Sequence, residues 1–249
     1  TLSQIEITGT GSSVPYDETN IAYKAAKLFF DVTGIRGGAK IHIEKNIPVC
    51  AGMAGGSTDC AAALVGAAKL FGLDVSRKEL MELGVKLGAD VPYCVLRGTA
   101  LSEGIGEELT SLPPMPDCLI LIAKPPIGVS TKFVYEHLDA AGLSKHPDID
   151  GMVNAIRDND LKGICNRMEN VLETVTVPEY PVIEEIKNCM KENGAMNALM
   201  SGSGPTVFGI YREADEEAAN RAKDLIRSKG LANQVFLAKP FNQLEQKNI

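Results

Sequence analysis

Hydrophobic positions along the chain switch repeatedly between a period of two and a period of about 3.6, and the switches lay out alternating strands and helices. Residues 1–8 alternate loosely through Leu2, Ile5 and Ile7, as a strand does. The loop GTGSSVPYDETN follows. Thr19 or Asn20 then stands where a cap is needed for a helix over 20–32, with Ile21, Ala25, Leu28 and Phe29 on one face. GIRGG breaks that helix, and AKIHIEKNIP alternates again with Ile41 and Ile43 inward. A glycine-rich stretch leads into a helix from Ser57 to Leu70. Ser76 and Glu79 form a capping box ahead of a helix carrying Leu80, Leu83 and Leu87, which Gly88 stops. ADVPYC reads as a turn into a strand, CVLRGTALSEG, with GIGEEL as a hairpin turn.

The prolines of PPMPD (113–117) favour an extended connection, which divides the chain into domains at 1–112 and 117–249. Beyond it CLILIAKP reads as a buried strand and Ser130–Leu138 as a helix. More helices follow HPDID, then MNALMSGSGPTVFGIY as strand, glycine loop and strand, a helix over 213–228, and a last strand in QVFLAKPF. This order implies an antiparallel sheet with helices on one face, an α+β layout.

Composition narrows the partners. With 249 residues, 45% apolar and 23% charged, the chain suits one large domain or two small ones. Lys plus Arg number 25 against 32 acids, a net charge of −7, which argues against nucleic acid or an anionic membrane as partner. A phosphate-bearing small molecule stays open, because one site needs only a local positive field. The six cysteines are scattered, without a C-x-x-C pair, so structural zinc and a disulfide framework are both poor readings, and a reducing cytoplasm fits best. No metal-ligating set is expected. No apolar run reaches the ~18–20 residues of a membrane span. The opening TLSQIEITGTG has neither the basic nor the apolar character expected of a leader and reads as chain already inside a folded domain.

The stretch PVCAGMAGGSTDCAAALVGAAKLFG (48–72) carries the sharpest chemistry. Unpaired N–H groups and the macrodipole favour an anion at the start of the helix. Gly52, Gly55 and Gly56 give the backbone access to positive φ and leave room for a ligand, and Ser57 and Thr58 can cap or donate to a phosphate. An anion nest and a plain glycine turn with Ser57 as N-cap are both compatible with this spacing. Neither G-x-x-x-x-G-K-[ST] nor a full dinucleotide fingerprint is present. Local readings exist for the other polar positions too. Lys45 is an exposed strand-end lysine, Asp90 an N-cap or turn carboxylate, Tyr135 a half-buried core aromatic, and SGSG (201–204) a β-turn.

PVCAGMAGGSTD resembles the central phosphate-loop motif of the GHMP kinases, and GADVPYC (88–94) and LMSGSGPTVFGIY (199–211) match two further segments of that family. With IEKNIP and AKPPIGVSTKFVYEHL, the likeness runs from residue 19 to 240 and is to the branch acting on a cytidine diphosphate-linked methylerythritol in the non-mevalonate isoprenoid pathway. The resemblance implies a two-domain GHMP kinase fold, ribosomal protein S5 domain 2-like in the N-terminal half and ferredoxin-like in the C-terminal half. It implies ATP and Mg2+, a small-molecule substrate whose 2-hydroxyl is phosphorylated, and a monomer or weak homodimer in the cytoplasm. By the same resemblance Gly52, Met53, Ala54, Gly55, Gly56, Ser57 and Thr58 wrap the ATP phosphates, while Asn20, Lys45 and Asp59 line the nucleotide. Asp90 is the catalytic aspartate, Thr131 and Tyr135 hold the cytidine, and Ser201, Gly202, Ser203 and Gly204 form a third glycine loop over the phosphates.

Family members also carry an opening K-x-x-A-K-I-N-L strand and a later G-Y-H, which are absent here. The expectation is therefore a chain that begins after those segments, without their lysine beside the aspartate and their Tyr-His grip on cytosine. Two further readings stand beside the leading one. One is a non-catalytic nucleotide-binding protein. The other is a different kinase of the family, such as homoserine kinase, against which GVSTKFVY tells.

Overall fold

The computed structural model describes residues 3–10, 14–140, 142 and 146–242. They fall into two units. The first takes in the described residues up to Val49 together with Ala54–Ser111, and the second takes Cys50–Met53 with Leu112–Asn242.

In the first unit, β1 (Glu6–Thr10) and β2 (Lys40–Glu44) are joined by α1 (Ile21–Thr33) and pair in parallel, Ile7 opposite Ile41 and Gly9 opposite Ile43. This corrects the expectation of a purely antiparallel sheet, since the crossover helix returns the chain in the same direction. Pairing also shifts the first strand from the expected 1–8 to 6–10, and Leu2 lies outside the described residues. Asn20 caps α1 through its side-chain oxygen, which accepts from the Ala22 N–H at 2.9 Å, and Gly34 at φ 70° ends it. Three helices follow: α2 (Gly55–Leu70), α3 (Arg77–Gly84) and α4 (Val91–Leu96). The core joins Phe29 and Phe30 of α1, Leu64 and alanines of α2, Leu80 of α3 and Val91 of α4. Small alanines on the facing stripes let α1 and α2 approach closely.

Two expectations fail in this region. Helix α3 stops at Gly84 rather than Gly88, because Val91 packs there; a Cβ on Gly84 would meet Val91 Cγ1 at 2.7 Å. Residues 91–96 are helical rather than extended. Pro92 suits a first helical turn, where its missing N–H costs nothing, and Val91 and Val95 bury one stripe against α2 and α3. A hairpin of β3 (Ala100–Glu103) and β4 (Glu108–Ser111) closes the unit.

The second unit is built on a four-stranded antiparallel sheet. Its central strand β5 (Leu119–Lys124) lies between β7 (Val207–Tyr211) and β8 (Gln234–Ala238), with β6 (Asn197–Met200) outside β7. Leu119, Leu121 and Ala123 face α9 (Val182–Glu192) and α10 (Glu216–Ser228). The opposite face does not stay bare: Ile120 and Ile210 pack with Cys165 and Met168, at the end of α7 (Leu161–Arg167), and with Met152 of α6 (Ile149–Arg157). Helices thus cover both faces rather than one, because β5 and β7 carry apolar residues at successive positions. Two short helices complete the unit, α5 (Thr131–His137) and α8 (Glu173–Glu179). Among the described residues no helix is long and apolar enough to cross a membrane.

Candidate active site

The glycine-rich stretch does not take its turn where the glycines alone would put it. Gly52 has φ 65°, but the other left-handed residues are Cys50 at 51° and Ala54 at 48°, while Gly55 and Gly56 are already helical. Helix α2 therefore starts before Ser57, and Ser57 is not its cap. The cap position belongs to Ala54, which has no side-chain acceptor to offer. The Thr58 hydroxyl turns back to donate to the Ala54 carbonyl at 3.0 Å. The N–H groups of Gly55, Gly56 and Ser57 consequently meet no side-chain cap at the end of a helix whose dipole places ~+0.5 charge there.

Lys45 is no exposed strand end. Its side chain is 5% exposed, and its Nζ donates to the Gly55 carbonyl at 2.8 Å and to Asp59 Oδ2 at 2.5 Å. The lysine thereby ties the end of β2 to the first turn of α2. A Cβ on Gly55 would stand 2.9 Å from Ile47 Cγ2 and 3.2 Å from Lys45 Nζ, so the brace itself demands glycine. On exposed Gly56 the nearest atom would be 3.8 Å away, in Ile21. Packing gives no reason for that glycine. Asn20 is buried, with its amide donating to the Pro15 carbonyl at 2.6 Å and its oxygen capping α1, so it fixes the residue that faces Gly56.

Asp90 stands at the cap position of α4 with φ −82° and ψ −10°, and its side chain makes no capping bond. The carboxylate is exposed and has no hydrogen-bond or ion-pair partner among the described residues. One turn later Cys94 Sγ lies 3.6 Å from Thr58 Oγ1, which brings α4 against the first turn of α2. The Cys94 thiol is pushed up first by burial and also by the Asp90 charge, with the Thr58 hydroxyl pulling the other way.

In the second unit the Ser201 hydroxyl donates to the Gly52 carbonyl at 2.7 Å, and a Cβ on Gly52 would collide with the Ser201 carbonyl oxygen. Thr131, the first residue of α5, shares a hydrogen bond between its Oγ1 and Ser203 Oγ at 2.8 Å. Tyr135, one turn on, is 61% exposed, which overturns its reading as a half-buried core aromatic. Val134 fills the core in its place. The 201–204 loop turns through Gly202 at φ 56° and Gly204 at φ 88°.

Two family models match: the GHMP kinases N terminal domain over residues 20–98 and the GHMP kinases C terminal domain over residues 152–230. The chain belongs to the GHMP kinases. It is 55% identical over 228 residues to 4-diphosphocytidyl-2-C-methyl-D-erythritol kinase of Lachnospira eligens, covering 92% of this chain and 78% of that protein. To the protein of the same name from Lachnoclostridium phytofermentans it is 54% identical over 236 residues, 95% of this chain and 79% of the relative. A crystal structure of 4-(cytidine 5'-diphospho)-2C-methyl-D-erythritol kinase superposes with a TM-score of 0.79 at 29% identity, over 96% of this chain and 82% of that one.

The arrangement of this GHMP kinase includes polar residues, around the start of α8, that no motif in the sequence marks. Asn170, Glu173 and Thr176 all reach the backbone of the segment 200–203. Their signal was weak: Asn170, Glu173 and Thr176 recur at every third position, but Glu169 and Thr174 in the same run, Met168 to Val177, blur the stripe.

Proposed function

We propose that the chain transfers the γ-phosphoryl group of ATP to the 2-hydroxyl of 4-diphosphocytidyl-2-C-methyl-D-erythritol. The observation that carries the chemistry is the uncapped start of α2, against which α4 packs through Thr58 and Cys94, with the Asp90 carboxylate unpartnered at the start of α4. The two relatives that share more than half their residues with this chain support this substrate over that of homoserine kinase. In this reading the N–H groups of Gly55, Gly56 and Ser57 take phosphate oxygens, and Lys45 with Asp59 holds that turn in place. Asp90 accepts a hydrogen bond from the attacking hydroxyl. As its oxygen bonds to the γ-phosphorus and the bond to the β,γ-bridging oxygen breaks, the proton passes to Asp90 and ADP leaves. Positioning and charge neutralisation dominate such a transfer. Thr131 and the exposed ring of Tyr135 hold the cytidine.

Mg2+ belongs to the same reading. Among the described residues no group of three or more His, Cys, Asp or Glu could cage a metal, so the ion would arrive on the phosphates, where it neutralises their charge. The Ser57 hydroxyl, in the first turn of α2, would be a side chain to hold it. The domains 1–112 and 117–249 are also part of this reading, supported by the division of the chain between Ser111 and Leu112. A cytoplasmic setting is supported by six cysteines that are all free.

The test is ADP release with Mg-ATP in the presence and absence of 4-diphosphocytidyl-2-C-methyl-D-erythritol. Release that depends on this alcohol, and that falls at least ~100-fold in Asp90→Asn with ATP affinity kept, is the expected result. ATP binding without turnover on this alcohol would favour the non-catalytic reading.

A further inference from the structure

We propose that Asn170, Glu173 and Thr176 are positioning residues that set the 201–204 loop as an acceptor of nucleotide phosphoryl groups. The inference rests on the proposed role of that loop and names what holds it in shape.

Asn170 Nδ2 donates to two carbonyls of the turn, Met200 at 2.9 Å and Gly202 at 2.8 Å. Its oxygen accepts from the Leu172 N–H at 3.0 Å, which fixes the amide so that its donors face the loop. Glu173 Oε1 accepts from the Met200 N–H at 2.7 Å, while Oε2 pairs with Lys187 at 2.6 Å in a setting where the two side chains are 17% and 10% exposed. Fully buried Thr176 donates to the Ser203 carbonyl at 3.2 Å. Within the turn the Gly204 N–H donates to the Ser201 carbonyl at 2.9 Å, and the Ser201 N–H to the Thr206 carbonyl at 2.8 Å.

Every carbonyl from Met200 to Ser203 is therefore engaged on the protein side. What is left over has one sign. Among the described residues the N–H groups of Gly202 and Ser203 have no protein acceptor, beside a glycine at positive φ. Ser203 is 6% exposed, and an N–H left unpaired in so buried a residue is costly unless a ligand supplies the acceptor. Adjacent N–H groups of this kind form an anion-binding concavity. Without Asn170 and Thr176 the carbonyls of Met200, Gly202 and Ser203 would be free to turn toward the ligand and repel it, and without Glu173 the Met200 N–H would lose its acceptor. The loop would still be present, but its polarity would not be set.

The phosphoryl group could be that of ATP or that of the cytidine diphosphate moiety, and four ligands separate the cases. Calorimetric titration of the full chain with ATP, CDP, adenosine and cytidine would be run on Asn170→Ala, Thr176→Val and Gly202→Val. Asn170→Ala should weaken ATP, CDP or both by about tenfold, and Thr176→Val by about threefold, as lost hydrogen bonds to the loop imply. Adenosine and cytidine should bind as they do to the parent, which a general loss of structure would not allow. Whichever nucleotide is weakened names the phosphates that the loop receives. If Gly202→Val weakens a nucleotide while the other two variants bind it like the parent, the positioning role is wrong and the loop reading stands. If Gly202→Val leaves ATP and CDP unchanged, or the parent binds neither, both fall. Should Asn170→Ala fail to fold, Thr176→Val, which keeps the side-chain shape, decides alone.

Discussion

Gly56 and Tyr135 are single residues at which packing and ligand binding call for different outcomes. An added methyl on Gly56 would meet only Ile21, at van der Waals distance, and alanine is favoured over glycine inside a helix by about 1 kcal/mol. Gly56→Ala should therefore raise the melting temperature. If a phosphate approaches the backbone there, the same change lowers ATP affinity; a variant more stable with unchanged ATP binding would remove Gly56 from the site. Gly55→Val meets the opposite circumstances, since the side chain runs into Ile47 and Lys45 and should abolish ATP binding. Tyr135→Ala removes a ring that contributes little to the core. Its melting temperature should stay near the parent's, while affinity for the cytidine-bearing substrate drops by ~1–3 kcal/mol if the ring stacks on the base. Calorimetry with CDP reads that difference. At this scale the sequence misjudged the surroundings of its candidate positions. Lys45 looked exposed because its partner Asp59 lies on the next element, and Ser57 looked like a cap because Ala54 gives no local sign of adopting φ 48°.

Between elements, the Lys45–Asp59 pair links the end of β2 with α2 across a turn of glycines. Breaking a largely buried pair leaves one charge without compensation, at a cost of about 3–5 kcal/mol. Lys45→Met should lower the unfolding free energy by that order, and Lys45→Met with Asp59→Leu should recover part of it in denaturant titration. The capping box of α3 is more local: Ser76 accepts from the Glu79 N–H at 3.2 Å, and Glu79 accepts from the Ser76 N–H at 2.8 Å. Ser76→Ala should cost about 1 kcal/mol and leave ATP affinity untouched. Both α1 and α3 were legible because their caps and stripes are written within a dozen residues. The α4 helix was not, because six residues rich in valine carry a strand-like bias that only burial against α2 and α3 overrules.

Across the whole molecule, buried thiols set a predictable alkaline limit. Burial pushes Cys60 up from 9.0 to about 12, and Cys118 and Cys165 to about 11. Lys187 is also raised: burial pulls it down, but hydrogen bonds to Glu173 and Glu184 outweigh that. Above pH 9 the unfolded chain loses thiol protons that the folded chain retains, so folding binds protons there and stability must fall as pH rises. The thiol contribution is intact below pH 9 and is lost progressively up to about pH 12. Lys187 adds its share of the loss above pH 10.5. Melting temperatures should thus hold steady between pH 7 and 8.5 and decline beyond 9, more gently in Cys60→Ala after correction for its own packing loss. A midpoint that rises through this range would contradict the burial of these thiols.

The sequence alone determined the elements whose signals are local, namely the capped helices, the alternating strands and the glycine–hydroxyl run ahead of an alanine-rich helix. Its motifs also named the family, because those short segments keep their order over nearly the whole chain. Tertiary structure decided everything that depends on distant partners. The parallel pairing of β1 with β2, the burial of Lys45, the freedom of the Asp90 carboxylate and the grip of Asn170, Glu173 and Thr176 on the 201–204 loop are of this kind. The physical reason is reach. A cap or a period is settled within a turn or two of chain, whereas a hydrogen bond between residues some thirty positions apart exists only once packing has placed them together.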